Sequence, residues 1–257
     1  MFSWLPAWLL ASSLLPIVKG SDIIGGREAI PHSRPYMALL KTKRSLCGGT
    51  LIKDDWVLTA AHCTCNPSTI IKLGVHSLRV EDKYVQTFQV LRCIGHMNYN
   101  GTTHDNDLQI VQLSGKAKLN KYVKILPLPK KFSDVKEGTV CDTAGWGRTS
   151  KDNDQLPENL MEVQLTAISR EKCAAMWKPR IEITANMMCT FDASQGKDAC
   201  KGDSGGPLLS KKQFRGLVSF GPRACANPNR PSVYTFLTKD YVNWIKKEIK
   251  KRTNTMN

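Results

Sequence analysis

The sequence is short of acid. It carries 22 Asp and Glu against 37 Lys and Arg, a formal net charge of +15 over 257 residues. Such a surface favours polyanions: glycosaminoglycan, nucleic acid or acidic membrane faces. Long apolar runs are also missing. A membrane span needs about 20 apolar residues, and nothing beyond the first 18 residues approaches that. The cysteines show no repeated Cys-x-x-Cys spacing, which argues against the common structural zinc modules. There is no calcium-loop pattern, no internal repeat and no low-complexity linker. The hydrophobic fraction, 41 %, excludes a disordered chain and is enough for a real core.

What the first 18 residues offer is a leader. Trp4–Leu10 and Leu14–Val18 are apolar but broken by Pro6 and Pro16, which suits a secretory signal peptide better than a span. Lys19-Gly20-Ser21 supplies small residues for signal peptidase, so residues 1–20 are expected to be removed. Nine cysteines in a secreted chain predict disulfides, and an odd number leaves at least one thiol unpaired or shared between chains.

Downstream, short apolar runs dominate: Tyr36–Leu40, Gly49–Ile52, Trp56–Ala60, Ile70–Leu73, Leu108–Leu113, Val140–Ala144, Pro207–Leu209, Leu217–Phe220 and Val233–Leu237. They are rich in Val, Ile, Leu and Thr and separated by Gly, Pro, Asn and Asp, a pattern that predicts an all-β sandwich or barrel architecture. One helix is predicted, over Lys239–Arg252, with Thr238 as its cap and Val242, Ile245 and Ile249 at helical spacing. Its polar face carries Lys246, Lys247, Lys250, Lys251 and Arg252, which suit the negative end of a helix and can also contribute to a polyanion patch.

Three short motifs carry chemistry. They are Thr59-Ala60-Ala61-His62-Cys63, Asp105-Asn106-Asp107-Leu108, and Gly202-Asp203-Ser204-Gly205-Gly206-Pro207. Singly, each is compatible with a structural role. In the order His, Asp, Ser they describe a hydroxyl nucleophile (Ser204), its base (His62) and the base's orienter (Asp107). A serine hydroxyl needs an adjacent base near neutral pH, imidazole has a suitable pKa, and a buried carboxylate fixes its tautomer and stabilises the imidazolium. The glycines around Ser204 let the backbone turn and aim the N–H groups of Gly202 and Ser204 at a developing oxyanion.

On these motifs the chain resembles the chymotrypsin family of serine proteases, over about residues 23–252. The resemblance implies two six-stranded antiparallel β-barrels, an N-terminal one over about 23–128 and a C-terminal one over about 129–238, followed by the helix. It implies no cofactor and no metal. Ser219 matches the serine that supports the buried Asp, and Ser219-Phe220-Gly221 matches the backbone that pairs with substrate, with Phe220 where many relatives carry Trp. Asp198, six residues before Ser204, matches the floor of the primary specificity pocket and implies cleavage after Arg or Lys. Gly221 matches one glycine of the pocket wall, and Ser232 stands where a second is usual, so its hydroxymethyl group narrows the slot.

The same resemblance explains Ser21-Asp22-Ile23-Ile24-Gly25-Gly26. In this family a newly cut amino terminus inserts and pairs with the Asp beside the nucleophile, here Ile23 with Asp203. Ser21-Asp22 then reads as an activation dipeptide of the kind a dipeptidyl peptidase removes from leukocyte granule proteases. Pro31-His32-Ser33-Arg34-Pro35-Tyr36-Met37 is typical of the granzyme and mast-cell protease subgroup. Lys118–Val123, Asp134-Val135-Lys136, Ala144–Thr149 and Phe214-Arg215-Gly216 are most like the granzyme A type, with the granzyme K type next. That implies storage in cytotoxic-lymphocyte granules on acidic proteoglycan, protein substrates, and control by protease inhibitors.

Family pairing implies the bridges Cys47–Cys63, Cys173–Cys189 and Cys200–Cys225. A fourth family bridge from Cys141 is lost because its partner position is Ser210. Cys65, Cys93 and Cys141 remain: Cys65 and Cys93 pair within one chain, or one of the three links two chains in a disulfide-bonded homodimer. Asn100-Gly101-Thr102 is an N-glycosylation acceptor. Two other readings stay open: a leukocyte or mast-cell protease whose specificity Ser232 has altered, and a non-catalytic homologue that binds polyanions.

Overall fold

The computed structural model describes residues 25–80, 82–150, 155–192 and 196–253. Its strands close into two antiparallel barrels of six strands each. The first is formed by β2 (Met37–Lys41), β3 (Leu46–Lys53), β4 (Trp56–Thr59), β5 (Ile70–Leu73), β6 (Gln86–Gly95) and β7 (Gln109–Leu113), in the closed order β2-β3-β4-β7-β6-β5. The second uses β8 (Val140–Gly145), β9 (Met161–Ile168), β10 (Met187–Thr190), β11 (Pro207–Ser210), β12 (Gln213–Phe220) and β13 (Ser232–Phe236), closed by the pairing of β8 with β9. A two-residue strand, β1 (Arg27–Glu28), lies against β9 at Glu162 and Met161. Helix α1 (Arg170–Trp177) precedes β10, and α2 (Lys239–Thr253) ends the described chain. Among the described residues no helix is long and apolar enough to cross a membrane.

The apolar runs mark strands that are buried on both faces. In β2, Ala38 and Leu40 point into the first barrel, whereas Met37 and Leu39 join a cluster with Ala144 and Trp146 of the second half. In β4 and β7, Val57, Val111 and Leu113 fill the barrel, whereas Trp56, Leu58 and Ile110 face Leu209, Phe214 and Leu217. Tyr241 and Ile245 of α2 complete that second cluster. Two apolar clusters therefore bolt the barrels together, and the line between them is where the motif residues lie.

The structure adds elements that the apolar runs did not announce. In β6, intermediate and exposed residues alternate over Gln86–Leu91, with Phe88 and Val90 inward. In β9, Val163, Leu165 and Ala167 point inward between Glu162, Gln164 and Thr166. α1 begins at Ser169, whose side chain accepts from the Lys172 N–H.

Four disulfides are present: Cys47–Cys63, Cys65–Cys93, Cys173–Cys189 and Cys200–Cys225. The ninth cysteine, Cys141, is a fully buried thiol. Of the two alternatives for Cys65 and Cys93, the structure has the bond within one chain, which leaves Cys141 as the one free thiol. Burial pushes the Cys141 thiol up to about 11 and keeps it unreactive. Cys141 stands directly opposite Ser210 in the β8–β11 register. Ser210→Cys is expected to close a fifth bridge, leave no titratable thiol in the denatured protein, and add roughly 2–4 kcal/mol of stability. Thiol titration in denaturant and a chemical-denaturation curve check both.

Candidate active site

His62 sits in the tight segment that leaves β4. The Thr59 hydroxyl donates to the Gly48 carbonyl at 2.7 Å, fixing the strand end to β3. Gln109 of β7 reaches over with its amide, whose nitrogen donates to the carbonyls of Ala60 and Cys63, both at 2.7 Å. The Cys47–Cys63 bridge ties the other flank. With that loop held, the His62 N–H donates to Asp107 Oδ1 at 2.9 Å, and Nδ1 lies 2.7 Å from Asp107 Oδ2. A carboxylate only accepts, so Nδ1 carries the proton and Nε2 presents its lone pair outward.

Asp107 is fully buried at the entrance to β7. The Ser219 hydroxyl donates to Oδ2 at 2.6 Å, and Thr235 Oγ1 donates to the Asp107 carbonyl at 2.9 Å. Burial works to raise this carboxyl, but the hydrogen bonds and charge of His62 and the Ser219 hydroxyl outweigh it. The net result is a pKa below the ordinary carboxylate value. Asp107 is therefore a stable anion in an apolar surround.

Ser204 is clamped between the two barrels. Its carbonyl accepts from the Gly48 N–H of β3 at 2.8 Å, and the next residue, Gly205, donates to Val218 of β12 at 2.8 Å. Glycine is demanded at two neighbours. Gly205 has φ +77°, and a Cβ there would lie 2.0 Å from Thr59 Oγ1. Gly202 has φ +108°, and a Cβ there would lie 2.8 Å from Gly147 Cα. The loop thus approaches the His62 segment as closely as backbone allows.

Two further buried acids flank the loop. Asp203 is fully buried and accepts from the N–H groups of Gly147 at 2.8 Å and Cys200 at 2.9 Å. Asp198 is 5 % exposed. Its Oδ2 accepts from Ala226 N–H at 2.7 Å, and the Ser232 hydroxyl donates to Oδ1. A Cβ on Gly221 would lie 3.2 Å from Ser232 Oγ, so the two positions face each other. Phe220, on the strand between, stacks on His104 with ring centroids 4.9 Å apart and meets Trp177 edge-on at 5.2 Å.

The trypsin family's sequence model matches residues 23–245. Granzyme A of Bos taurus is 43 % identical over 252 residues, 96 % of each chain. Mast cell protease 3 of Ovis aries is 40 % identical over 250 residues, again 96 % of each chain. Granzyme M of Rattus norvegicus is 42 % identical over 236 residues, covering 89 % of this chain and 90 % of that one. The chain belongs to the trypsin family. It is a serine endopeptidase.

Several residues of this trypsin-family site carry no signal in sequence. Gln109 looks like an ordinary strand residue and Thr235 like a solvent-tolerant one, yet both are buried and hold the motif segments. His104 lies in a polar turn, and its ring centroid is 6.5 Å from that of His62. The Cys47, His62 and Cys63 ligand atoms cluster within 4.8 Å, but both sulfurs are spent in the disulfide, so the group offers no thiolate to a metal. Ile23 lies outside the described residues; the first one described, Gly25, abuts Gly196 and Lys197.

Asp203 has a direct pH consequence. In the full chain the Ile23 nitrogen is part of a peptide bond and carries no charge. Burial then raises the Asp203 carboxyl to about 6, with the two N–H donors opposing and the charge of Asp198 reinforcing the shift. A folded-state pKa raised above the unfolded value stabilises the protein below pH about 4 and loses that contribution as pH rises through about 6. The uncut chain with Ser204→Ala is expected to lose up to about 3 kcal/mol between pH 4 and 7, and Asp203→Asn to remove most of that slope. Urea denaturation across this range, on both proteins, measures it.

Proposed function

We propose that the protein is a granule-type endopeptidase, most like the granzyme A type, that hydrolyses peptide bonds after Arg or Lys. Ser204 attacks the scissile carbonyl and His62 takes its proton. The tetrahedral oxyanion is met by the N–H groups of Gly202 and Ser204. His62 then protonates the leaving amine, and water repeats the sequence on the acyl-enzyme. The observation that carries this reading is the His62–Asp107–Ser219 chain of short hydrogen bonds around a fully buried anion. A merely structural histidine has no need of that arrangement.

Primary specificity is assigned to Asp198. It is buried, and burial raises its carboxyl despite hydrogen bonds from Ser232, Ala226 and Ala199. No cation is bonded to it among the described residues, and a substrate guanidinium or ammonium would supply the missing charge. Ser219, Phe220 and Gly221 form the edge along which substrate lies. Ser232 favours a second reading, because its hydroxyl already uses Asp198 Oδ1 and fills space opposite Gly221. A pocket so narrowed would select a different residue.

Activation is assigned to removal of residues 1–20 and then Ser21-Asp22, after which the Ile23 ammonium pairs with Asp203. The protease domain is then 23–257. The basic surface supports storage on acidic proteoglycan in secretory granules of cytotoxic lymphocytes, and Asn100, exposed in a turn, is assigned as a glycan acceptor. A non-catalytic polyanion-binding role draws only on the basic surface, and against it stands the presence in the sequence of all three residues assigned to the triad, His62, Asp107 and Ser204.

The test is a panel of peptides differing only in the residue before the scissile bond, cleaved by the chain that begins at Ile23. Arg and Lys peptides are expected to be cut selectively. Asp198→Ser is expected to reduce kcat/KM on them by on the order of 10^4-fold, and Ser204→Ala to abolish turnover. Ser232→Gly is expected to raise activity on the basic peptides. Preference for a different residue would replace the Asp198 reading with the altered-pocket one.

A further inference from the structure

Away from Ser204, a cleft of about 300 Å³ opens where the segment after the first barrel passes the β11–β12 hairpin. Its floor is apolar, built from Leu126, Leu128, Pro129 and Phe214, and it shares no residue with the active site. Leu126 and Phe214 belong to the same inter-barrel cluster as Tyr241 and Ile245, so the floor is anchored in the core and not in a loose loop. One rim is Lys130 and Lys131. The buried Arg215 guanidinium fixes it by donating to the carbonyls of Lys131, at 2.8 Å, and Ser133. The other rim is the hairpin tip, where Lys212 lines the cleft and Lys211 adjoins it in the turn.

That tip is unusual in its chemistry. Lys211 and Lys212 have φ +50° and +61°, the left-handed pair that two-residue hairpins normally fill with Asn-Gly. Two lysines occupy it instead, and both are exposed. None of the four rim lysines forms an ion pair among the described residues, and the nearby acid, Asp134, is already engaged at 2.9 Å by Arg170. An apolar floor of this size between two uncompensated cationic edges fits one class of occupant: a bulky apolar side chain carried between acidic neighbours.

We propose that this cleft is an exosite for acidic peptide segments bearing a single large apolar anchor, supplied by a protein partner or substrate. The anchor fills the floor, and the flanking carboxylates meet Lys130, Lys131, Lys211 and Lys212. A purely sulfated polysaccharide would use the rim and leave the floor empty.

The experiment uses the mature chain with Ser204 blocked by a phosphonate. The probe is a fluorescein-labelled decapeptide with Asp and Glu flanking a central Phe and no Lys or Arg. Saturable binding is expected, weakened about tenfold or more when the Phe becomes Ala, and similarly by Lys130→Glu with Lys212→Glu. The same double variant, unblocked, is expected to cleave a small peptide substrate at the parental rate. Equal binding of the Ala peptide, no binding of either, or insensitivity to the lysine reversals overturns the proposal. Rim-dependent binding of heparin fragments with no effect of the Phe assigns the lysines to polysaccharide instead.

Discussion

Everything at the active site depends on keeping carboxylates charged where there is almost no water. Asp107 and Asp203 are fully buried and Asp198 nearly so. An isolated buried carboxylate is costly, so each must be met by donors or by a cation. The three meet this demand differently. Asp107 collects donors from His62 and Ser219, and the net effect favours its anion. Asp198 and Asp203 collect donors mainly from backbone, and burial still pushes both upward. The first acid has an ionisable partner, His62, within the described fold, and the other two have no cation bonded to them among the described residues. On the reading proposed here, the cations that meet them are a substrate side chain and a new amino terminus.

The barrels exist to bring these groups to one line. His62 and Asp107 come from the first barrel, and Ser204, Ser219, Asp198 and Asp203 from the second. Their juxtaposition rests on two apolar clusters whose members come from both halves. Gly48 and Gly205 allow the Ser204 loop to touch β3 and β12 at backbone distance. A small displacement of one barrel would therefore be felt at the Asp107 hydrogen bonds, because they cross the same boundary.

Much of this was legible in the sequence, for a physical reason. Strands such as β2, β4 and β7 are buried on both faces, so they read as apolar runs, and Ser204 is flanked by Gly202, Gly205 and Gly206. β6 and β9 escaped because one face of each carries polar or exposed residues, leaving alternation without an apolar run. The short helix α1 escaped because eight residues with little amphipathic character give no periodic signal. The bond between Cys65 and Cys93 was left open because their proximity depends on how far β6 curls around the barrel. Gln109, whose amide holds the His62 loop, is invisible in principle: its role lies in two carbonyls that only the folded chain brings to it.

The dependence of the Ser204 site on charge balance at Asp203 is most directly measured by the rate of covalent labelling of Ser204 with a fluorophosphonate. Two chains suffice, one beginning at Ile23 and one retaining Ser21-Asp22. The chain beginning at Ile23 should label at least about 10²-fold faster, in keeping with loss of a positioned oxyanion donor in the longer one, and Asp203→Asn should erase the difference. Equal labelling of the two chains would contradict the account and leave Asp203 as a structural acid only.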